Sequence, residues 1–249
     1  MKGVILAGGL GTRLYPLTRV TNKHLLPVYS KPMIYYPLKA MRDAGIEEVM
    51  IVVGGPFAGN FITVLGNGEE FGFKNLQYAY QREEGGIAEA LSLAEDFSDG
   101  ENLLVILGDN IFTRKLLSDI RIMSGREYIE YAAVFSKETN TPEKFGVLEY
   151  DEGNKPNKII EKPKGVPPSK DAVTGIYVYP SNVFELIKTL DYSKRGELEI
   201  TDLNNIYLKN NRLYVIPMHE EDFWSDCGSY DTLLSCSTEM KKRDWFGEF

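Results

Sequence analysis

Short apolar segments alternate with helical segments through the first half of the sequence, and this alternation constrains the fold more than any other feature. The apolar segments are residues 3–7, 48–54, 76–81 and 103–107. Helices are expected at residues 34–44, 58–65 and 87–97. Strands that alternate with helices pair in parallel, and the helices then cover both faces of the sheet. The sequence therefore predicts an α/β fold with a doubly wound, mostly parallel, Rossmann-like sheet.

The pattern changes after Arg126, where strand-like segments follow one another closely. Strands are expected at 128–136, 147–150, 158–161, 172–179 and 213–217, with a hairpin turn at 151–154. Further helices are expected at 182–190, 200–209 and 230–242. No linker rich in Gly, Ser or Pro separates the two halves, residues 1–126 and 127–249. We therefore expect one domain over residues 1–249, in which the second half adds an antiparallel extension to the sheet.

Charge and cysteine content exclude several classes of protein. A net charge of −8 over 249 residues argues against a general binder of nucleic acid or membrane surfaces. Two cysteines, Cys227 and Cys236, and two histidines cannot complete a usual zinc site, so free thiols are expected. The sequence contains no membrane-spanning apolar run and opens directly into a strand, without a signal peptide. A cytoplasmic protein that binds neither nucleic acid nor membrane is expected.

A glycine-rich loop follows the first apolar segment. Gly8, Gly9 and Gly11 let the backbone turn sharply and bring its N–H groups close to a ligand. Thr12 and Arg13 come next, and the forked guanidinium of Arg13 suits a phosphate group. The loop lacks the third glycine of a dinucleotide fingerprint and the Gly-Lys-Ser/Thr of a P-loop. From these residues alone, a phosphate cradle and a plain turn with a surface arginine are equally open.

Other polar features follow strands at the same predicted edge of the sheet. In open α/β sheets, ligands bind beyond the carboxyl ends of the strands, where the glycine loop, segment 81–86 and Asp109 are expected. A carboxylate that ends a buried strand is poorly solvated without a partner. Asp109 is therefore either a helix cap or turn residue, or a ligand of Mg²⁺. Asp226 is a second carboxylate near a strand end, and Lys23 is either a solvated loop residue or a second contact to a polyphosphate.

Several motifs together resemble the sugar-1-phosphate nucleotidylyltransferase family. They are GGLGTRL at 8–14, Lys23 with LLP at 25–27 and KPM at 31–33, GDN at 108–110, EKP at 161–163, TG at 174–175 and RGELEITD at 195–202. Each motif is weak alone, but their order and spacing are specific over residues 2 to about 234. Within the family, the sequence is most similar to the short form of the glucose-1-phosphate thymidylyltransferases.

The resemblance implies an Mg²⁺-dependent reaction in which dTTP and α-D-glucose 1-phosphate give dTDP-glucose and pyrophosphate. The sugar phosphate oxygen would attack the α-phosphorus in line, which requires positioning and charge neutralisation more than a covalent nucleophile. Residues 1–126 would bind the nucleotide and residues 127–249 the sugar. A UTP-preferring enzyme and a non-catalytic regulatory subunit that binds sugar nucleotides are the alternatives.

Matching positions give each candidate residue a role under this resemblance. The nucleotide would contact Leu6, Gly8, Gly9, Gly11, Thr12, Arg13, Lys23, Gln81, Gly86 and Asp109. The sugar phosphate would contact Gly146, Glu161, Lys162, Thr174, Arg195 and Trp224, although a core position for Trp224 is almost equally open. Asp109 and Asp226 would bind Mg²⁺. The reaction itself would be carried by Arg13, Lys23, Asp109 and Lys162.

Some positions depart from the family pattern. His24 stands where the best-known members have glutamine, and Arg82-Glu83-Glu84 is more charged than the usual base-binding loop. Cys227 and Ser229 flank Gly228 where many members have threonine. The sequence stops at Phe249 without the helical extension of longer members, so a regulatory nucleotide site and a homo-oligomer are left open.

Overall fold

A nine-stranded mixed sheet forms the centre of the computed structural model, which describes residues 1–243. Residues 244–249, the end of the expected domain, lie outside the described residues. The strands are β1 (Lys2–Ala7), β2 (Pro27–Val28), β3 (Lys31–Pro32), β4 (Glu48–Gly54), β5 (Asn75–Gln81), β6 (Leu103–Leu107), β7 (Asn110–Phe112), β8 (Ala132–Glu138), β9 (Gly146–Tyr150), β10 (Pro156–Glu161), β11 (Asp171–Tyr179), β12 (Leu213–Pro217) and β13 (Trp224–Asp226). The α-helices are α1 (Tyr35–Asp43), α2 (Ala58–Leu65), α3 (Ile87–Ser92), α4 (Glu95–Ser98), α5 (Leu117–Met123), α6 (Val183–Ile187), α7 (Ile200–Lys209) and α8 (Tyr230–Arg243). Within residues 1–243, no helix combines the length and apolarity needed to cross a membrane.

Four parallel strands carry the first half of the sheet, in the order β6–β1–β4–β5. Ile5 of β1 lies beside Ile51 of β4 and Ile106 of β6, and all three side chains are buried. Helices α1, α2 and α5 pack on one face, while α3, α4, α6 and α7 pack on the other. Continuous apolar strands are typical of a parallel sheet covered on both faces. The predicted fold class is confirmed.

The second half of the chain extends the same sheet. β11 pairs antiparallel with β6, with Ile176 opposite Ile106, and also antiparallel with β8 and β9. β9 and β10 form the expected hairpin. β12 pairs in parallel with β8. The extension is therefore antiparallel as predicted, except for this one parallel pair at its edge.

A separate two-stranded ribbon joins β7 to β13, although the two strands are far apart in the sequence. The ribbon and α8 enclose a small apolar cluster with Val28, Met33, Tyr36, Ile111, Cys227, Cys236 and Met240. Both cysteines are buried free thiols, as expected. Sequence analysis missed this ribbon because strands of three residues are too short to show a periodic pattern.

Several predicted boundaries are wrong. The helix predicted at 87–97 is divided into α3 and α4, where Ser92 Oγ donates to Glu89 O and competes with regular helical bonding. The strand predicted from residue 128 begins at Ala132, because Arg126–Tyr128 forms a 3₁₀ turn. The Tyr128 ring packs against Tyr214 instead, with 5.1 Å between ring centroids. The helix predicted at 182–190 is shorter, and α5 was not predicted.

Candidate active site

Two adjoining cavities lie beyond the carboxyl ends of β1, β5 and β6. The first, of about 290 Å³, is lined by the glycine loop and by Gln81 at the end of β5. The second, of about 430 Å³, lies between the start of α7, the end of β10 and the β7–β13 ribbon. Ile87, Leu107, Asp109 and Glu197 line both cavities. Asp109 therefore lies where the two cavities meet.

Most of the predicted site residues line one of these cavities. Those in the first cavity are Leu6, Gly8, Gly9, Lys23, Gln81, Gly86 and Asp109. Those in the second are Arg13, Gly146, Glu161, Lys162, Thr174, Arg195, Trp224, Asp109 and Asp226. Thr12 instead lines a separate hollow behind the loop, beside Tyr15. Gly11 turns the chain there with a φ of +67°, a conformation that favours glycine.

Gln81 is held by two acceptors at the side of the first cavity. Its Nε2 donates to Glu89 Oε2 at 2.7 Å and to Gly86 O at 3.3 Å. Its Oε1 faces the glycine loop, so closely that a Cβ at Gly8 would lie 2.5 Å away. A carboxamide held in this way offers its oxygen to a donor on a ligand. Glu89 was missed by sequence analysis, although its position in the first turn after the loop was a usable signal.

Lys23 and Asp109 form a largely buried ion pair at the junction of the cavities. Lys23 Nζ lies 2.5 Å from Asp109 Oδ2. Burial alone raises the pKa of the Asp109 carboxyl, but the Lys23 ammonium and hydrogen bonds from Lys23 and Asn110 hold that pKa below its usual range. Strand β7 follows Asp109 directly, so the alternative of a helix cap is wrong. The Asp109 carboxylate is ionised at neutral pH.

The β7–β13 ribbon brings Asp226 close to Asp109. Asp226 lies opposite Asn110 in the ribbon, and Cys227 N donates to Asp109 O at 2.8 Å. Burial and the negative charge of Asp109 raise the pKa of Asp226 to about 6, although nearby lysine and arginine side chains oppose the shift. A carboxylate whose pKa is raised by a like charge is stabilised when a cation binds beside it.

The carboxylates of Asp109 and Asp226 suit a metal ion that takes its other ligands from substrate and water. Across the described part of the chain, no three His, Cys, Asp or Glu side chains are grouped so that they could hold a metal ion. Asp109 and Asp226 supply oxygen donors only. Mg²⁺ prefers oxygen and is commonly bound by one or two carboxylates together with substrate phosphates and water. The pair could therefore hold Mg²⁺ with a phosphate ligand.

Asn110 links the two cavities through three hydrogen bonds. Its Nδ2 donates to Asp109 Oδ1 at 2.9 Å, while its Oδ1 accepts from Trp224 Nε1 at 2.7 Å and Gly175 N at 3.0 Å. The Trp224 ring lines the second cavity and packs on Phe145, with 4.9 Å between ring centroids. Trp224 is therefore a wall of the cavity. Asn110 belongs to the GDN motif at 108–110, but no role was predicted for it, and its position beside Asp109 at a strand end was the available signal.

Glu161 ends β10 at the mouth of the second cavity, and Lys162 follows it. Glu161 Oε2 accepts from Thr201 Oγ1 at 2.6 Å, and its Oε1 lies 3.3 Å from Lys162 Nζ. Lys162 has a φ of +40°, and Lys162 N donates to Phe145 O at 2.9 Å. A left-handed conformation costs a non-glycine residue about 1–3 kcal/mol and persists only where the surrounding structure holds it. The surrounding structure therefore holds Lys162 in a strained conformation beside the cavity.

Arg195 is already paired with carboxylates. Its Nε and Nη2 donate to the two oxygens of Glu199 at 3.1 and 2.7 Å, and Nη2 also lies 3.2 Å from Glu197 Oε2. The hydrogen bonding that Arg195 donates to the Glu199 carboxylate is the main reason why the pKa of Arg195 is raised. Sequence analysis expected a cation for the sugar phosphate and missed these partners. Residues 195–199 precede α7 and are not helical, so the spacing of four residues between them gave no signal of this contact.

The remaining predicted residues complete the walls of the second cavity. Thr174 Oγ1 donates to Phe135 O at 3.0 Å, which leaves only acceptor capacity on that hydroxyl. Gly146 begins β9 and lines the cavity beside Glu161. The Arg13 guanidinium lies against Gly228, close to the Asp226 carboxylate. With Arg195, the side chains of Arg13, Lys144 and Lys162 put four cationic groups on this cavity.

Residues 2–243 match the sequence profile of the nucleotidyl transferase family. The chain belongs to this family. This nucleotidyl transferase is 42% identical over 233 residues to the glucose-1-phosphate thymidylyltransferase of Neisseria meningitidis, covering 94% of this chain and 80% of the relative. It is 44% identical to the enzyme of that name from Xanthomonas campestris pv. campestris, covering 93% of this chain and 78% of the relative. The predicted family is confirmed.

Solved structures agree with this assignment. The chain is 45% identical to a Bacillus anthracis protein described as a glucose-1-phosphate thymidylyltransferase and crystallised with sucrose. The TM-score is 0.89, with 96% of this chain and 94% of that chain covered. A UDP-glucose pyrophosphorylase crystallised with UDP-glucose superposes with a TM-score of 0.81 at 24% identity, covering 97% of this chain and 98% of that chain. At that identity the likeness concerns the fold alone.

Proposed function

We propose that this nucleotidyl transferase moves a thymidylyl group from dTTP to α-D-glucose 1-phosphate, giving dTDP-glucose and pyrophosphate. The observation that carries the proposal is the position of Asp109 where two cavities meet. The glycine loop and Gln81 line one cavity, and Glu161 and Lys162 line the other. A nucleotide and a sugar phosphate bound in these cavities would meet at a carboxylate. The names of the relatives at 42–44% identity support the choice of substrates.

The transfer is an in-line displacement at the α-phosphorus of dTTP. A phosphate oxygen of glucose 1-phosphate forms the new O–P bond, the bond to the bridging α,β-oxygen breaks, and pyrophosphate leaves with the electron pair. Arg13 and Lys23 neutralise the charge on the triphosphate, and Lys162 orients the sugar phosphate. Reactions of this kind depend on position and electrostatics, so no covalent nucleophile is needed.

Asp109 and Asp226 would hold Mg²⁺, which supplies charge neutralisation at the α-phosphate when bound. Support comes from the two partly buried carboxylates and from the raised pKa of Asp226. Lys23 Nζ already partners one oxygen of Asp109. We infer that this lysine keeps Asp109 ionised and leaves the rest of the carboxylate pair for the metal.

The base site should favour thymine and uracil. Glu89 and the Gly86 carbonyl oxygen occupy Gln81 Nε2, which leaves Gln81 Oε1 as an acceptor. Thymine and uracil carry an N3–H donor for such an acceptor, whereas cytosine has none at that position. dTTP and UTP share this edge, so a UTP-preferring enzyme is the second candidate. Arg13, Lys23, Lys162 and both aspartates are present, which favours catalysis over a non-catalytic regulatory subunit.

We also propose that residues 1–249 form one domain and act in the cytoplasm, on small substrates rather than on nucleic acid or a membrane. The nine-stranded sheet contains strands from both halves of the chain, which supports one domain. The net charge of −8 supports the choice of partners.

The proposal is tested by initial rates of pyrophosphate release from glucose 1-phosphate with each nucleoside triphosphate in turn. We expect turnover with dTTP and UTP, and poor use of CTP, ATP and GTP. Mass spectrometry of the product identifies the nucleotide sugar. Equal rates with ATP would contradict the assignment of the base site, and no release with any triphosphate would contradict the transfer activity.

A further inference from the structure

One buried amide in the second cavity has a donor that the protein does not use. Among residues 1–243, the buried side-chain nitrogens without a hydrogen-bond partner are Arg114 Nη1 and Asn204 Nδ2. Arg114 is held through its other nitrogens by both oxygens of Asp119, at 3.0 and 2.8 Å. Asn204 is 1% exposed and lines the second cavity. A buried donor without an acceptor destabilises the fold, so a bound ligand or water is expected to accept a hydrogen bond from it.

Tyr179 holds the amide of Asn204 in one orientation. The Tyr179 hydroxyl donates to Asn204 Oδ1 at 2.7 Å. The Tyr179 ring is fully buried and packs between Tyr177 and Tyr207, with centroid distances of 5.8 and 6.0 Å. Because Oδ1 is occupied, the amide has only N–H donors to offer to a further partner.

The position of Asn204 on α7 points to the same cavity. Thr201 lies three residues earlier, and residues with this spacing share one face of a helix. Thr201 Oγ1 donates to Glu161 Oε2 at 2.6 Å, and both residues line the second cavity with Asn204. The face of α7 that supports Glu161 therefore also carries the unused donor.

We propose that Asn204 is a specificity-determining residue whose side-chain N–H donates to a hydroxyl oxygen of the hexose. The proposal rests on the proposed function, because it takes the second cavity to be the sugar site. A site built to bond a hydroxyl rejects an analogue without that hydroxyl, since the buried donor is left unpaired. Asn204 would thus distinguish glucose 1-phosphate from one of its deoxy analogues.

The kinetic test compares glucose 1-phosphate with its 2-, 3-, 4- and 6-deoxy analogues in the wild-type protein and in Asn204→Leu, which removes the donor at similar volume. We expect one analogue to lose at least ~10-fold more in kcat/KM than the others with the wild-type protein. In Asn204→Leu this excess loss disappears for that analogue alone, and the KM for dTTP is unchanged. Identical analogue profiles in the two proteins would overturn the proposal.

Tyr179→Phe is the matched control. It removes the hydroxyl that bonds Asn204 Oδ1 and orients the amide, but it keeps the side-chain N–H donors of Asn204 in the protein. If the Asn204–Tyr179 bond were merely structural, Asn204→Leu and Tyr179→Phe would change all the kinetic constants alike, and no analogue would lose more than the others. That result would also overturn the proposal. If Asn204→Leu fails to fold, as judged by circular dichroism, the smaller Asn204→Ala replaces it, since alanine also has no donor.

A binding measurement separates this inference from the proposed function. In the nitrogen-15 NMR spectrum of the wild-type protein, the side-chain signals of Asn204 are those that are missing from the spectrum of Asn204→Leu. We expect them to shift when glucose 1-phosphate is added. Their failure to shift at saturation would overturn the proposal. If they shift but no pyrophosphate is released in the assay, the proposed function fails while the role of Asn204 stands.

Discussion

At the scale of single residues, His24 couples the stability of the fold to pH. Its ring is buried, and Nδ1 lies 2.7 Å from Asn22 Oδ1. Burial and the Lys23 charge lower the pKa of His24 from 6.5 to about 3. Because the pKa of His24 is lower in the folded protein than in the unfolded chain, the neutral ring contributes its full stabilisation to the fold above pH 6.5. It is lost as the pH falls from 6.5 towards 3.

We expect the free energy of unfolding to fall by about 2 kcal/mol through His24 when the pH is lowered from about 7.5 to about 5. His24→Gln, whose side chain does not titrate, should remove this part of the pH dependence. Urea unfolding of both proteins at the two pH values measures the difference. If both proteins lose equal stability, His24 is not the titrating group.

The position of Gln81 in the base site depends on Glu89, whose carboxylate accepts from Gln81 Nε2 at 2.7 Å. We expect Glu89→Leu to raise the KM for dTTP about tenfold, because one orienting hydrogen bond is lost. The KM for glucose 1-phosphate should stay unchanged. Glu89→Gln is the matched control, since its carbonyl oxygen can still accept the bond. A similar rise in both KM values would argue against a specific role in the base site.

At the scale of elements, the start of α3 is joined to the segment before α7 through the backbone. Leu198 N donates to Gly85 O at 2.8 Å, and Ala88 N donates to Leu198 O at 3.2 Å. Gly86 has a φ of +102°, and a Cβ there would lie 2.5 Å from Leu198 O. The two segments, one beside each cavity, approach this closely because residue 86 is glycine.

We therefore expect Gly86→Ala to lower kcat/KM for both substrates by at least ~10-fold, since the loop must shift at the junction of the cavities. Gly100→Ala is the matched control, because Gly100 has a φ of +75° but nothing lies within 4 Å of the added Cβ. Gly100→Ala should lower the free energy of unfolding by about 1–2 kcal/mol and leave the initial rates of pyrophosphate release unchanged. Initial rates and thermal unfolding of both variants distinguish the close contact from backbone strain.

At the scale of the whole molecule, the sheet was predictable because its strands are long enough to show a pattern. Leu103–Leu107 and its parallel neighbours are continuous apolar runs, and their alternation with helices predicted the doubly wound sheet. The β7–β13 ribbon was not predictable from local pattern, since its strands have three residues each. The proximity of Asp109 and Asp226 was therefore expected only through the family resemblance.

The partners of the site residues were the least predictable part of the molecule. Glu89, Asn110 and Glu199 had no predicted role, although each forms a side-chain hydrogen bond at one of the cavities. Such bonds depend on which elements pack together, and the hydrophobic pattern of the sequence does not show this. Motif matching identifies the residues at a ligand, whereas the residues that orient them become visible only in the folded chain.

The shared role of Asp109 and Asp226 is tested most directly by pyrophosphate release from dTTP and glucose 1-phosphate in Asp109→Asn, Asp226→Asn and the double variant. We expect release by the wild-type protein only with both substrates and Mg²⁺, and each single variant should be at least ~100-fold slower. The double variant should lose much less than the product of the two losses, because the carboxylates act as one unit. A single variant with near-normal turnover at saturating Mg²⁺ would contradict the shared metal site.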